Sequence, residues 1–130
     1  MSTILYEDAW AVVSLDASRG LVRYTRTALA YGSLVEVARS FDGVRGIGTR
    51  ITPGLKLLVD VRLAPPRNDP AFESRSMAAL QGLAQKFTRV ATLVRTAVGK
   101  LQTTRLAKER GTDAHAFDDE AAALAYLDVV

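Results

Sequence analysis

Cysteine is absent from all 130 residues. That gap removes disulfides, thiolate nucleophiles and thiolate metal ligands together, and it suits a reducing compartment. Histidine occurs once, at His115 beside Asp113. With no second imidazole near it, it reads as a structural side chain rather than a metal ligand or general base. The nine aromatics (four Phe, four Tyr, one Trp) are not interleaved with the basic residues. Stacking platforms for single-stranded nucleic acid are therefore missing, and nucleic acid is not an expected partner. No apolar run reaches 18 residues, and the opening MSTILYEDAW lacks the basic and apolar regions of a secretory leader. No transmembrane segment is expected, and the expected location is the cytoplasm.

Catalytic signatures are missing too. There is no G-x-S-x-G elbow, no H-E-x-x-H helix, and no G-x-G-x-x-G between a strand and a helix. Gly43, Gly46 and Gly48 precede a strand and read as a flexible loop. A phosphate-binding G-x-x-x-x-G-K-[ST] ending at Gly99-Lys100 would require glycine at Val94 and a hydroxyl at Leu101, and neither is there. The expectation is a non-enzyme with no catalytic residue, metal or cofactor.

What remains is globular: 48% hydrophobic and 24% charged residues, in a length suited to one domain over residues 1–130. The net charge of +3 is unevenly spread: −1 over residues 1–42, +9 over 43–110 and −5 over 111–130. A basic middle suits an anionic partner. Equally, the acidic end can neutralise the basic middle within one fold.

Periodicity supplies the elements. Thr3–Tyr6, Trp10–Leu15 and Leu21–Thr25 read as an antiparallel meander, with a hairpin turn at Asp16–Gly20. Leu34, Val37, Ala38 and Phe41 have helical spacing, with Ser33 as N-cap and Gly43 as stop, and residues 43–53 read as a loop. Leu55–Val61 is apolar on both faces, which predicts a central strand covered on both sides. Asp69-Pro70 starts a second helix, with Phe72, Ala79, Leu80, Leu83 and Phe87 as its apolar stripe. Val90–Val94 is a further buried strand. Thr96 caps a helix running to about Arg110 and stopped by Gly111, Ala114–Phe117 is a last strand, and Asp118 caps an alanine-rich last helix. The fold class is α/β: a mixed β-sheet opening with an antiparallel meander, its later strands largely parallel and covered by about four helices.

In such a sheet the loops after the parallel strands share the carboxyl edge, where open α/β folds bind their ligands. The candidate partner-binding residues are therefore Arg62, Arg67, Asn68 and Asp69 after the central strand, and Arg95, Thr96 and Lys100 after the next. Their guanidinium forks and free helix amides suit a carboxylate or phosphate. The structural alternative makes Asp69 only a cap and pairs Arg62 with a neighbouring acid. The basic face of Lys100, Thr104 and Lys108 is equally a solvated helix side with cations near its C-terminus.

The opening strands, LLVDVR at Leu57–Arg62 with its following loop and helix, VATLVRTAVGKL at Val90–Leu101 and FDDEAAALAYL at Phe117–Leu127 together resemble the STAS-like fold of sulfate transporters and anti-sigma factor antagonists. Within that fold the chain resembles more closely the small SpoIIAA-like bacterial proteins, whose fold is also compared with the CRAL-TRIO lipid-binding domain. The resemblance implies a regulatory module that binds a protein partner or a small anionic ligand, and a structural, self-assembling homo-oligomer is a third reading beside it. Its alternative implication is a small-molecule or lipid carrier with an interior pocket. In anti-sigma factor antagonists a serine or threonine at the helix start after the central strand is phosphorylated as a switch. The matching segment here, Pro66-Arg67-Asn68-Asp69-Pro70, has no hydroxyl, so the module is expected to act without that switch.

Overall fold

The computed structural model describes residues 2–65, 71, 75, 78, 82–83, 85–109 and 115–129. Six strands form one mixed sheet in sequence order: β1 (Ser2–Glu7), β2 (Ala11–Asp16), β3 (Leu21–Arg26), β4 (Lys56–Asp60), β5 (Val90–Leu93) and β6 (Ala116–Phe117). β1, β2 and β3 pair antiparallel, and β3 to β6 pair parallel. Among the described residues there are three α-helices, α1 (Leu34–Arg45), α2 (Ala97–Glu109) and α3 (Glu120–Tyr126), and a 3-10 helix at Gly46–Arg50. Between β4 and β5, the described Ala71, Arg75, Ala78, Gly82 and Leu83 are helical. The expected start at Asp69-Pro70, the stripe residues Phe72, Ala79 and Leu80, and the stop at Gly111 lie outside the described residues.

β4 holds the interior position that its composition demands. Its neighbours β3 and β5 both run parallel to it, and its side chains alternate between two cores. Leu57 and Val59 join Ala11, Val13, Val22 and Tyr24 beneath α1, which contributes Val37, Phe41 and Val44, together with Ile47 and Leu83. Leu58 joins Leu21, Ala91 and Leu93 on the opposite face, covered by Ala123 and Leu127 of α3 and its C-terminal turn. Residues alternating along a strand point to opposite faces, so apolar residues in succession are stable only with cover on both sides.

The turns follow local chemistry. Gly20 takes φ 62° in the β2–β3 hairpin, a left-handed conformation that glycine adopts without steric cost. The Ser33 hydroxyl accepts from Glu36 N at 3.3 Å, capping α1 as its sequence suggests.

Three expectations need correction. Gly43 does not stop α1, which runs on to Arg45, and most of the expected loop at 43–53 is helical, first α and then 3-10. The apolar stripe explains this: Val44 and Ile47 extend the period of Val37 and Phe41 and are buried, and their burial outweighs the roughly 1 kcal/mol propensity penalty of one glycine. Gly43 instead lets an aromatic ring approach, because a Cβ there would overlap the end of the Tyr6 side chain. The third correction concerns α3, whose cap is Asp119 rather than Asp118: Asp119 Oδ2 accepts from Ala122 N at 3.2 Å. Phe117 is still bound into the sheet through Val94 N, 2.8 Å from its carbonyl, so Asp118 makes the turn out of β6.

The outer edge of β1 is irregular. Its register with β2 shifts between Ile4 and Tyr6, and the Arg50 guanidinium donates to the Leu5 carbonyl at 2.6 Å.

Candidate functional site at the carboxyl edge of the sheet

Parallel pairing puts the exits of β3, β4, β5 and β6 at one edge. Arg62 follows β4 and Arg95-Thr96 follows β5, so these turns emerge side by side, with Val61 N donating to Leu93 O at 3.0 Å between them. Thr96 and Lys100 belong to the start of α2. Thr96 Oγ1 accepts from Gly99 N at 3.0 Å and so caps that helix. Arg95, Thr96 and Lys100 are exposed, and neither cation forms an ion pair with a described residue. Leu63, Val98 and Leu101 are exposed apolar side chains on the same two segments. Arg67, Asn68 and Asp69 lie outside the described residues.

Arg62 is already engaged, as the structural alternative held. Its Nε and Nη2 donate to the two oxygens of Asp60, at 3.1 and 2.8 Å, and its backbone N donates to Asp60 Oδ1 at 3.1 Å. Asp60 ends β4 on the α3 face and is buried. Arg23 projects from β3 on that same face and lies 3.6 Å from Asp60 Oδ2. Above both sits Glu120, the first residue of α3. Its Oε1 accepts from Arg23 Nη1 at 3.1 Å and from Arg62 Nη2 at 3.2 Å. Burial alone would push the Asp60 carboxyl up, but the hydrogen bonds and charges of Arg62 and Arg23 overcome it and hold the group below the ordinary carboxylate value. The bond to Asp60 in turn raises the Arg62 guanidinium.

Sequence reasoning missed Arg23, Asp60 and Glu120. Asp60 carried one signal, as the only acid inside the LLVDV run: a carboxylate in a strand covered on both faces needs a cationic partner.

A second polar cluster sits at the same edge beneath α1. Asp8 Oδ1 accepts from Trp10 N and Ala11 N, both at 2.8 Å, and Oδ2 accepts from the Tyr6 hydroxyl at 2.5 Å and the buried Ser40 hydroxyl at 2.8 Å. Burial pushes the carboxyl up, yet the four bonds leave it below its ordinary value. The Tyr6 phenol is pushed up to about 12, chiefly by burial and then by its bond to Asp8. Nearby, the buried Arg26 donates to the carbonyls of Trp10 and Leu29, and its guanidinium lies 4.4 Å over the Tyr31 ring, which stacks on Trp10. This cluster ties the meander to α1.

His115 is exposed and stacks on Tyr126 with centroids 4.3 Å apart. Among the described residues no group of three or more His, Asp or Glu is placed to hold a metal ion, and no helix is long and apolar enough to cross a membrane. The arrangement therefore offers cations for oxyanions and an apolar rim for contact. Set against family models, curated proteins and solved structures, the chain matches none of them.

Proposed function

We propose that this chain is a non-catalytic STAS-like module of the cytoplasm that binds an acidic segment of a protein partner at the carboxyl edge of its sheet, without a serine phosphoswitch. The observation that carries the reading is the parallel pairing of β4 with β5, which gathers Leu63, Arg95, Val98, Lys100 and Leu101 on neighbouring segments of one edge. Exposed apolar side chains, with cations among them that no described residue pairs, suit an amphipathic, acidic surface: the apolar contacts supply affinity, and the charges steer approach and select the partner. Arg62, held by Asp60, contributes less to such a surface than Arg95 and Lys100.

The test is charge reversal. Arg95→Glu/Lys100→Glu is expected to abolish partner capture from native extract while moving folding stability by no more than about 0.5 kcal/mol, as for ordinary surface changes. Capture of the same protein at undiminished occupancy by the variant would refute the surface, as would the absence of any specific capture by the unaltered chain.

A further inference from the structure

We propose that Arg23 and Arg62 form a seat for an oxyanion, and that Glu120 fills it as a tethered, displaceable stand-in. Two guanidiniums from different strands converge on one oxygen, Glu120 Oε1, at 3.1 and 3.2 Å. The two acids of the cluster are not equivalent. Asp60 has 8% of its side chain exposed and is gripped through both oxygens, so it fixes the direction in which Arg62 points. Glu120 has 40% of its side chain exposed and is held through a single oxygen, by the same two cations that an incoming anion would use.

Without the Glu120 carboxylate, two guanidiniums would face one another with only the charge of Asp60 between them. That leaves one net positive charge aimed at solvent, at the edge of parallel β3 and β4 where open sheets receive ligands. Glu120 can leave by rotating its own side chain, since α3 keeps its cap at Asp119 and its anchors at Ala123 and Leu127. The ligand class is a small molecule bearing a carboxylate or phosphate, one oxygen of which takes the place of Oε1. A tethered group competes at an effective concentration on the order of millimolar. In the unaltered chain a ligand must therefore exceed Glu120 in charge or in number of oxygen contacts. The site lies on the α3 face and does not depend on the protein-binding reading.

Isothermal titration at constant ionic strength tests this, with acetate and inorganic phosphate as separate probes. Glu120→Ala is expected to bind at least one probe roughly tenfold more tightly than the unaltered chain, because the tethered competitor is gone. Adding Arg23→Met is expected to remove that gain. A gain with acetate alone assigns a carboxylate ligand, and a gain with phosphate alone assigns a phosphate. Equal affinities in all three proteins, or a gain that survives Arg23→Met, would overturn the proposal. If Glu120→Ala melts below the assay temperature, Glu120→Gln makes the same comparison, since it keeps the side-chain length and removes the charge.

Discussion

Asp8 is the residue on which most local bonds converge. Its four contacts come from a tyrosine, a serine and two backbone amides, so a carboxylate accepts all four, whereas an amide can accept the two backbone bonds but leaves the Tyr6 and Ser40 hydroxyl protons without that acceptor. Asp8→Asn turns an acceptor towards a donor, and at least one buried group loses its partner. The expected cost is about 1–3 kcal/mol, read as a lower urea midpoint. The pH dependence has a definite sign. Asp8 and Asp60 both have folded pKa values below their ordinary 3.8. Their contribution is complete above the unfolded value and is lost as pH falls through the folded ones, because there the unfolded chain binds more protons. Melting temperature is therefore expected to drop steeply below about pH 4, and Asp8→Asn to flatten part of that fall. Tyr6 acts at the other end. Its folded pKa is raised from 10.0 to about 12, so stability is lost as pH climbs through that interval. Tyrosinate absorbance of the folded chain, compared with that of Tyr6→Phe, will follow it.

The last helix makes a clean comparison at the scale of elements. Asp119→Ala removes the cap of α3 and is expected to cost about 1 kcal/mol, whereas the exposed Asp118→Ala is expected to stay within about 0.5 kcal/mol. Thermal denaturation of the two variants reads the difference. It also marks what was legible. The interior place of β4 was readable because an apolar strand has few stable environments, and Ser33 and Thr96 were readable as caps because capping involves residues two or three apart. Choosing between adjacent aspartates was not, since it depended on how far β6 stays in the ladder. Gly43 misled for a similar reason: the ring that occupies the space above it comes from β1, distant in the chain. The carboxyl edge could be located from strand order alone. A neighbouring acid for Arg62 could be expected too, and Asp60 is that acid, but its second partner could not, because Glu120 reaches it only after the whole sheet has formed.

For the whole molecule, the charge division along the chain is partly resolved internally. Arg23 and Arg62 pair with Glu120, Lys56 donates to the Asp128 carbonyl, and Arg89 donates to the Tyr126 carbonyl and lies 5.3 Å over its ring. Among the described residues the one ion pair between the acidic end and the basic middle is Glu120 with Arg62, the bonds of Lys56 and Arg89 being to neutral carbonyls, while Arg95 and Lys100 remain outward. Native-state hydrogen exchange should follow the layering. The amides of β4, enclosed by parallel neighbours and two cores, are expected to exchange slowest, and those of β1 faster. Comparable protection of β1 and β4 would contradict this ordering.

The bulge in β1 and the Arg50 bond to Leu5 bear on crowding. Exposed sheet borders invite stacking of like molecules into fibres, and proteins blunt them with kinks and charge. A newcomer strand docking along Ile4 to Tyr6 would meet a broken ladder and a carbonyl already taken. Continuous polymerisation through that border is thereby discouraged, at a position far in sequence from the arginine that prevents it.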